Sequence, residues 1–152
     1  MAKKHALLSV AIFAAGPALV AGASFAPTGR HPAGRVQAVR HETARPIFER
    51  ALPNVPGKSL IAVEVTYPPG TASAPHRHPS SAFIYAYVVS GEIVSAVGNE
   101  PPRIYRAGQS FYEAPGAHHR VSRNASTTSP AKLLAVFVAD SGKGQLVFPD
   151  RK

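Results

Sequence analysis

Two pairs of histidines stand out among the seven in this chain of 152 residues. His76 and His78 are separated by a single residue, and in an extended strand residues two apart point to the same face. His118 and His119 follow a Pro-Gly turn signal, and because adjacent strand residues face opposite ways, we expect one of the two to face inward. Three neutral imidazoles are good ligands for a divalent transition metal, and iron, manganese, zinc, nickel and copper all suit them. The spacing therefore predicts a metal site built from two segments.

The residues around these histidines resemble the two sequence motifs of the cupin family. The first motif, G-x5-H-x-H-x(3,4)-E-x6-G, is matched by Gly70, His76, His78 and Gly91. The second, G-x5-P-x-G-x2-H-x3-N, is matched by Gly108, Gly116 and His119, while Pro115 and Asn124 each lie one place beyond their motif positions. The resemblance covers roughly residues 45–149. It implies an all-β fold, a single cupin barrel of the double-stranded β-helix or jelly-roll type, with His76, His78 and His119 as metal ligands.

One residue of the first motif is missing. Its glutamate should fall within residues 82–84, which are Ala-Phe-Ile and cannot bind a metal. The segment between the second histidine and the closing glycine is also about two residues longer than the usual pattern, so the strand register there is open. Glu113 is the nearest carboxylate that could act as a fourth ligand, although it belongs to a different strand from the usual donor. Glu64 and Glu92 are weaker candidates.

Aromatic residues alternate on the strand that follows the first histidine pair. Phe83, Tyr85 and Tyr87 share one face of this strand. In a cupin this strand lines the barrel, so Tyr85 or Tyr87 is a candidate to place a phenol near the metal as a hydrogen-bond donor or proton relay. Packing of these aromatic rings is the alternative. His118 is expected either to point outward or to act as a base beside the metal ligands.

Short apolar runs punctuated by 15 prolines and 12 glycines predict many strands and turns rather than long helices. The strands are expected at residues 46–52, 60–67, 83–89, 92–97, 103–105, 110–112, 119–122, 132–139 and 145–148. The run 133–138 is apolar throughout, as expected of a central strand, whereas the run 60–67 alternates. Glu64 on that run faces either the solvent, which we favour, or a pocket. This pattern independently favours an all-β sandwich or barrel.

The chain is divided into three parts. Residues 1–23 have the features of a cleaved bacterial signal peptide: two lysines, an apolar stretch and a small-residue cleavage site, with an uncleaved membrane anchor as the alternative. Residues 24–44 form a flexible basic arm rich in proline and glycine, and residues 45–152 form the barrel domain. The chain contains no cysteine, which excludes a disulfide framework and a thiolate metal site. We expect an exported protein, periplasmic or extracellular, without a stable membrane span after signal removal.

The formal net charge is +9, yet no motif for nucleic-acid binding accompanies it. A metal held only by neutral imidazoles keeps its double positive charge, which favours a small anionic ligand. We therefore expect a protein that binds one divalent transition metal and acts as a dioxygenase-like enzyme on a small anionic substrate. The alternative is a non-catalytic module that binds or senses a small molecule. A homodimer is a further expectation from the resemblance.

Overall fold

The structure is a computed structural model that describes residues 41–142 and 144–151. This part of the chain contains ten strands: β1 (Thr43–Ala51), β2 (Lys58–Tyr67), β3 (His76–Arg77), β4 (Phe83–Ser90), β5 (Glu92–Val97), β6 (Arg103–Arg106), β7 (Ser110–Glu113), β8 (His118–Asn124), β9 (Ala131–Asp140) and β10 (Phe148–Pro149). The signal peptide and most of the basic arm lie outside the described residues, so export stays a prediction. Within the described residues, no helix has the length and apolar character needed to cross a bilayer.

The strands form two five-stranded sheets. The first has the order β1-β2-β9-β4-β7, and the second has the order β10-β3-β8-β5-β6. Every pairing in both sheets is antiparallel. The predicted all-β jelly-roll class is confirmed, and β9 is the central strand of its sheet, as its apolar run indicated.

A glycine turn lets the chain pass from the first sheet to the second. Gly91 lies between β4 and β5 with a φ of 71°, a conformation that is strained for residues with a side chain. A Cβ at this position would also lie 2.8 Å from the carbonyl oxygen of Pro130 and 2.9 Å from the Cβ of Ala131. The backbone at the start of β9 therefore requires glycine here for steric as well as conformational reasons.

The inner face of the first sheet carries the apolar core. On β2, Ile61 and Val63 are buried together with residues of β4 and β9, and burying such side chains is the main favourable term in folding. The opposite face carries Glu64, whose carboxylate lies 3.5 Å from Arg45 and 3.2 Å from Lys132. The predicted outward orientation of Glu64 is confirmed, and strand alternation explains it.

Strand β4 buries its aliphatic face and exposes its aromatic one. Ile84, Ala86 and Val88 are fully buried. Tyr85 and Tyr87 point the other way, with 45% and 36% of their surface exposed. The candidate role of Tyr85 or Tyr87 beside the metal site is therefore wrong, because the aliphatic set and not the aromatic set faces the barrel interior.

Candidate metal centre

Strands β3 and β8 bring the predicted histidines together. His76 and His119 are direct partners in the antiparallel register of these strands, and their ring centroids lie 5.1 Å apart. His78 follows β3 immediately, with its ring centroid 4.9 Å from that of His76. All three side chains are buried, and one nitrogen from each lies within 4.8 Å of the others. The cluster therefore has the spacing of a site that can hold a metal ion.

Backbone carbonyls orient two of the three imidazoles. The Nδ1 of His76 donates to the oxygen of Ala74 over 2.8 Å, and the Nδ1 of His78 donates to the oxygen of Leu146 over 2.6 Å. Because a carbonyl can only accept a hydrogen bond, the neutral form of each ring carries its proton on Nδ1 and keeps the lone pair on Nε2. Hydrogen bonds of this kind fix the tautomer and the ring orientation of metal-binding histidines.

The third imidazole, that of His119, is held at both nitrogens by side chains. Its Nδ1 lies 3.2 Å from Oε1 of Glu113, and its Nε2 lies 2.9 Å from the hydroxyl of Ser95. Ligation through either nitrogen of His119 replaces one of these two contacts. The ring therefore has its plane fixed before any metal binds.

Glu113 places a carboxylate against the histidine cluster. Its Oε1 contacts His119, and its Oε2 lies 3.4 Å from the Nε2 of His78. The residue is only 3% exposed, and Oε2 is the one buried side-chain oxygen or nitrogen in the described residues without a hydrogen bond. An unsatisfied buried carboxylate oxygen is costly. A divalent cation bonded to it would remove that cost, so the residues present fit a metal.

Glu113 lies across from the position of the missing motif glutamate. Glu113 lies on β7, directly opposite Ile84 in the β4–β7 register, and Ile84 occupies one of the positions where the motif glutamate is expected. Side chains of cross-strand partners emerge about 5 Å apart on the same face. The carboxylate is therefore displaced by one strand but still reaches the same interior.

Burial and mutual contact set the charges of this cluster. Burial raises the pKa of Glu113, but the neighbouring His119 and His78 imidazoles outweigh it and lower the pKa to about 2. Burial alone lowers the pKa of His78, but the Glu113 carboxylate outweighs it and the net pKa is raised. Burial lowers the pKa of His76. His76 is therefore neutral and Glu113 ionised at neutral pH, the states that metal ligation requires of these two residues, whereas His78 must lose the proton that Glu113 favours before it can bind a metal.

The cluster opens into a cavity of about 510 Å³, a volume typical of small-molecule sites. Its wall is largely apolar and includes Val63, Leu133 and Phe137. Among the described residues that line the cavity, none is a lysine or an arginine, whereas Glu42 and Glu113 contribute carboxylates. A bound ion is therefore the main source of positive charge available to a ligand in this space.

The remaining candidates lie outside this cavity. The Nε2 of His118 lies 2.8 Å from a carboxylate oxygen of Asp150, so His118 takes the outward orientation. Tyr85 and Tyr87 are on the outer face of the first sheet. Tyr67 is the phenol that lines the cavity instead. Its place on the buried face of β2 follows from the alternation of that strand, but nothing in the sequence marked it as functional.

Comparison with known proteins identifies the fold family. The family model described as "Cupin domain" matches residues 63–137, a range that includes all three histidines and Glu113. The chain carries a cupin domain. This cupin has no match among the curated proteins.

Solved structures support the same assignment. The TT1209 protein of Thermus thermophilus is 30% identical, with a TM-score of 0.51 over 66% of this chain and 84% of that chain. An uncharacterized protein with a double-stranded β-helix domain from Klebsiella pneumoniae is 22% identical, with a TM-score of 0.56 over 75% and 90% of the two chains. An RmlC-like cupin of Methanocaldococcus jannaschii is 12% identical, with a TM-score of 0.52 over 65% and 81%. The last two likenesses concern the fold alone.

Proposed function

We propose that this cupin binds one divalent transition metal ion through His76, His78 and His119, with Glu113 as a fourth ligand. The observation that carries the proposal is the buried Oε2 of Glu113, which lacks a hydrogen bond and lies 3.4 Å from the Nε2 of His78. Three nitrogens and one oxygen suit iron, manganese, zinc, nickel or copper by ligand type. The carboxylate on β7 takes the role that the motif assigns to a glutamate on β4.

The cavity favours a small ligand with a single negative charge. With Glu113 ionised, three neutral imidazoles, one carboxylate and a divalent ion carry a net charge of about +1. That charge is smaller than the one expected from histidines alone, and no lysine or arginine among the described lining residues adds to it. We therefore propose a monoanionic small molecule as the ligand of this site.

We propose that the protein is a dioxygenase-like enzyme or a related metal-dependent enzyme. When bound, the ion supplies Lewis acidity and open coordination positions for a small molecule. The chain contributes the apolar wall, which excludes water from the ligand. It also contributes the ionised carboxylate of Glu113, which contacts His78 and His119.

The alternative is a non-catalytic binding module, and the outward orientation of the two tyrosines considered as proton relays is compatible with it. Tyr85 and Tyr87 are on the outer face, so neither phenol is available to move a proton in the cavity. Oxygen consumption separates the two functions. An iron-loaded enzyme consumes dioxygen when its substrate is added, whereas a binding module binds the same compound without consuming dioxygen.

The metal proposal is tested by metal analysis of protein purified without a histidine tag. After loading and removal of excess metal, the wild type is expected to retain about one equivalent of a transition metal. Retention of less than about a tenth of an equivalent of every metal tried would contradict the proposal. The Glu113→Gln variant, which keeps the size of the side chain and removes its charge, tests the fourth ligand separately.

A further inference from the structure

Three hydroxyl groups form a chain on the wall of the cupin cavity. The Tyr67 hydroxyl lies 3.0 Å from that of Ser73 and 2.8 Å from that of Ser122. We call these three residues the hydroxyl triad. All three line the same cavity as the histidine cluster. The triad is therefore part of the surface that a ligand would contact, yet the metal site makes no use of it.

The triad has hydrogen-bonding capacity left over. Three hydroxyls carry three protons, and the two bonds within the triad use two of them. In the part of the chain that the structure describes, Ser73 and Ser122 make no other side-chain hydrogen bond. One proton and several lone pairs therefore remain for a group that enters the cavity.

The backbone fixes the triad in place before a ligand arrives. The amide of Ser73 donates to the carbonyl oxygen of Ser122 over 2.9 Å, which ties the two serines side by side. Tyr67 and Ser122 are buried. Pre-positioned polar groups in a mostly apolar pocket set the orientation and the specificity of a ligand.

The charges around the triad limit what it can hold. The described lining residues include no lysine or arginine, so a second carboxylate on the ligand would enter the cavity without a cationic partner, which is strongly unfavourable. An uncharged hydroxyl or carbonyl oxygen matches the neutral donors and acceptors of the triad.

We propose that the hydroxyl triad binds an uncharged oxygen of the ligand, so that the ligand combines one anionic chelating group, an apolar body and a neutral polar oxygen. This inference rests on the proposed metal site for the chelating group, and on the triad alone for the neutral oxygen.

Three 2-oxo acids test the inference as probes with nickel(II)-loaded protein, whose metal is not oxidised under these conditions. 4-Hydroxyphenylpyruvate has all three features and phenylpyruvate lacks the neutral oxygen. 2-Oxoglutarate replaces the whole aromatic ring by a short chain that ends in a second carboxylate. Calorimetric titration is expected to show 4-hydroxyphenylpyruvate binding about three- to tenfold more tightly than phenylpyruvate, the range of one net hydrogen bond. We expect 2-oxoglutarate to bind more weakly than both.

Two variants assign the preference to the triad. Tyr67→Phe and Ser122→Ala are expected to lower the ratio of the two aromatic affinities to about one. Because the ratio is taken within each variant, a change that weakens both probes equally, such as a lower fraction of folded protein, leaves the ratio unchanged. Tyr85→Phe is the matched control: it removes the same hydroxyl from the outer face and should keep the wild-type ratio.

The outcomes separate this inference from the metal proposal. When nickel is retained, any of three results would overturn the inference: a wild-type affinity ratio of one, failure of all three probes to bind, or a ratio that is unchanged in both triad variants. If nickel is not retained, the metal proposal fails. The ratio of the two aromatic affinities is then measured on metal-free protein. If the wild type prefers 4-hydroxyphenylpyruvate and the triad variants do not, the role of the triad stands. If the ratio in the wild type is one, the role of the triad is wrong.

Discussion

The two faces of the first sheet carry opposite kinds of residue. The inner face has a buried carboxylate at Glu113, whereas the outer face has Tyr112, its neighbour in the chain, at 65% exposure. Outside, Phe83 stacks on Tyr112 with ring centroids 5.8 Å apart. Hydropathy alone would place these residues the other way round, since charged groups are rarely buried without a partner. Because burying a charged group is costly, the buried carboxylate of Glu113 indicates that the functional site lies on the inner face.

The largest expected effect contrasts two adjacent histidines on β8. His119→Ala removes a proposed ligand and should weaken metal affinity by about a hundredfold or more. His118→Ala changes a neighbouring side chain that contacts Asp150 instead, and it should leave metal affinity unchanged. Titration with nickel(II) or zinc(II) measures both. Equal losses in the two variants would contradict the assignment of inner and outer positions on this strand.

Moving the carboxylate between strands is the second test. Glu113→Leu should reduce metal affinity by about ten- to a hundredfold. Adding Ile84→Glu to that variant places a carboxylate on the cross-strand partner and should restore most of the affinity, because paired side chains emerge about 5 Å apart on one face.

Tyr85→Glu in the same background is the control for this exchange, because it introduces the same charge on the outer face of β4. No recovery of metal affinity should follow. If the two added glutamates restore binding equally, the effect is one of net charge, and the geometric role of Glu113 is wrong.

A smaller effect concerns the stability of the metal-free protein in acid. The pKa of Glu113 falls from an ordinary value of 4.5 to about 2 on folding, so the ionised form stabilises the fold above pH 4.5. That contribution is lost as the pH falls through the folded pKa. The free energy of unfolding should decrease by about 3 kcal/mol over this range, as measured by urea denaturation.

Glu113→Gln should flatten that part of the pH profile. His78 has the opposite sign: its pKa is raised on folding from 6.5, so its contribution is complete below pH 6.5 and is lost as the pH rises through the folded value. An identical acid slope in wild type and Glu113→Gln would show that other groups account for the loss.

The smallest expected effect is on the outer face. Tyr87→Ser should change metal affinity by less than about twofold, because exposed positions away from a site have little influence on it. Metal titration checks this expectation. A large loss of affinity would mean that the outer aromatic face supports the metal centre, and the contrast between the two faces would no longer hold.

Much of this architecture could be predicted from the sequence. The strand pattern indicated the all-β class, and the alternation of β2 placed Glu64 outside, because a charged residue identifies the solvent side. The pair His76 and His78 was recognisable from its spacing alone. The strand alternation and the spacing of ligand-type residues are both local features of the sequence, which is why they could be recognised.

The orientation of β4 could not be derived in the same way. Both of its faces are apolar, one aliphatic and one aromatic, so alternation separates Tyr85 from Ile84 without showing which one is buried. The place of Glu113 depends on the pairing of β7 with β4, a contact between strands that no local pattern encodes. The two-residue β3 was too short to give a periodic signal, and the strand expected at 145–148 is reduced to β10 at Phe148–Pro149.

The pairing of β3 with β8 also has a kinetic consequence. His76 and His119 become neighbours only when two strands that are distant in sequence dock in register, and closing such a loop in the unfolded chain is entropically unfavourable. Folds dominated by such non-local pairings fold slowly, in milliseconds to seconds. Metal uptake by the proposed site during refolding should therefore be limited by barrel closure rather than by metal concentration. The rate of metal uptake would then report the folding rate of this domain.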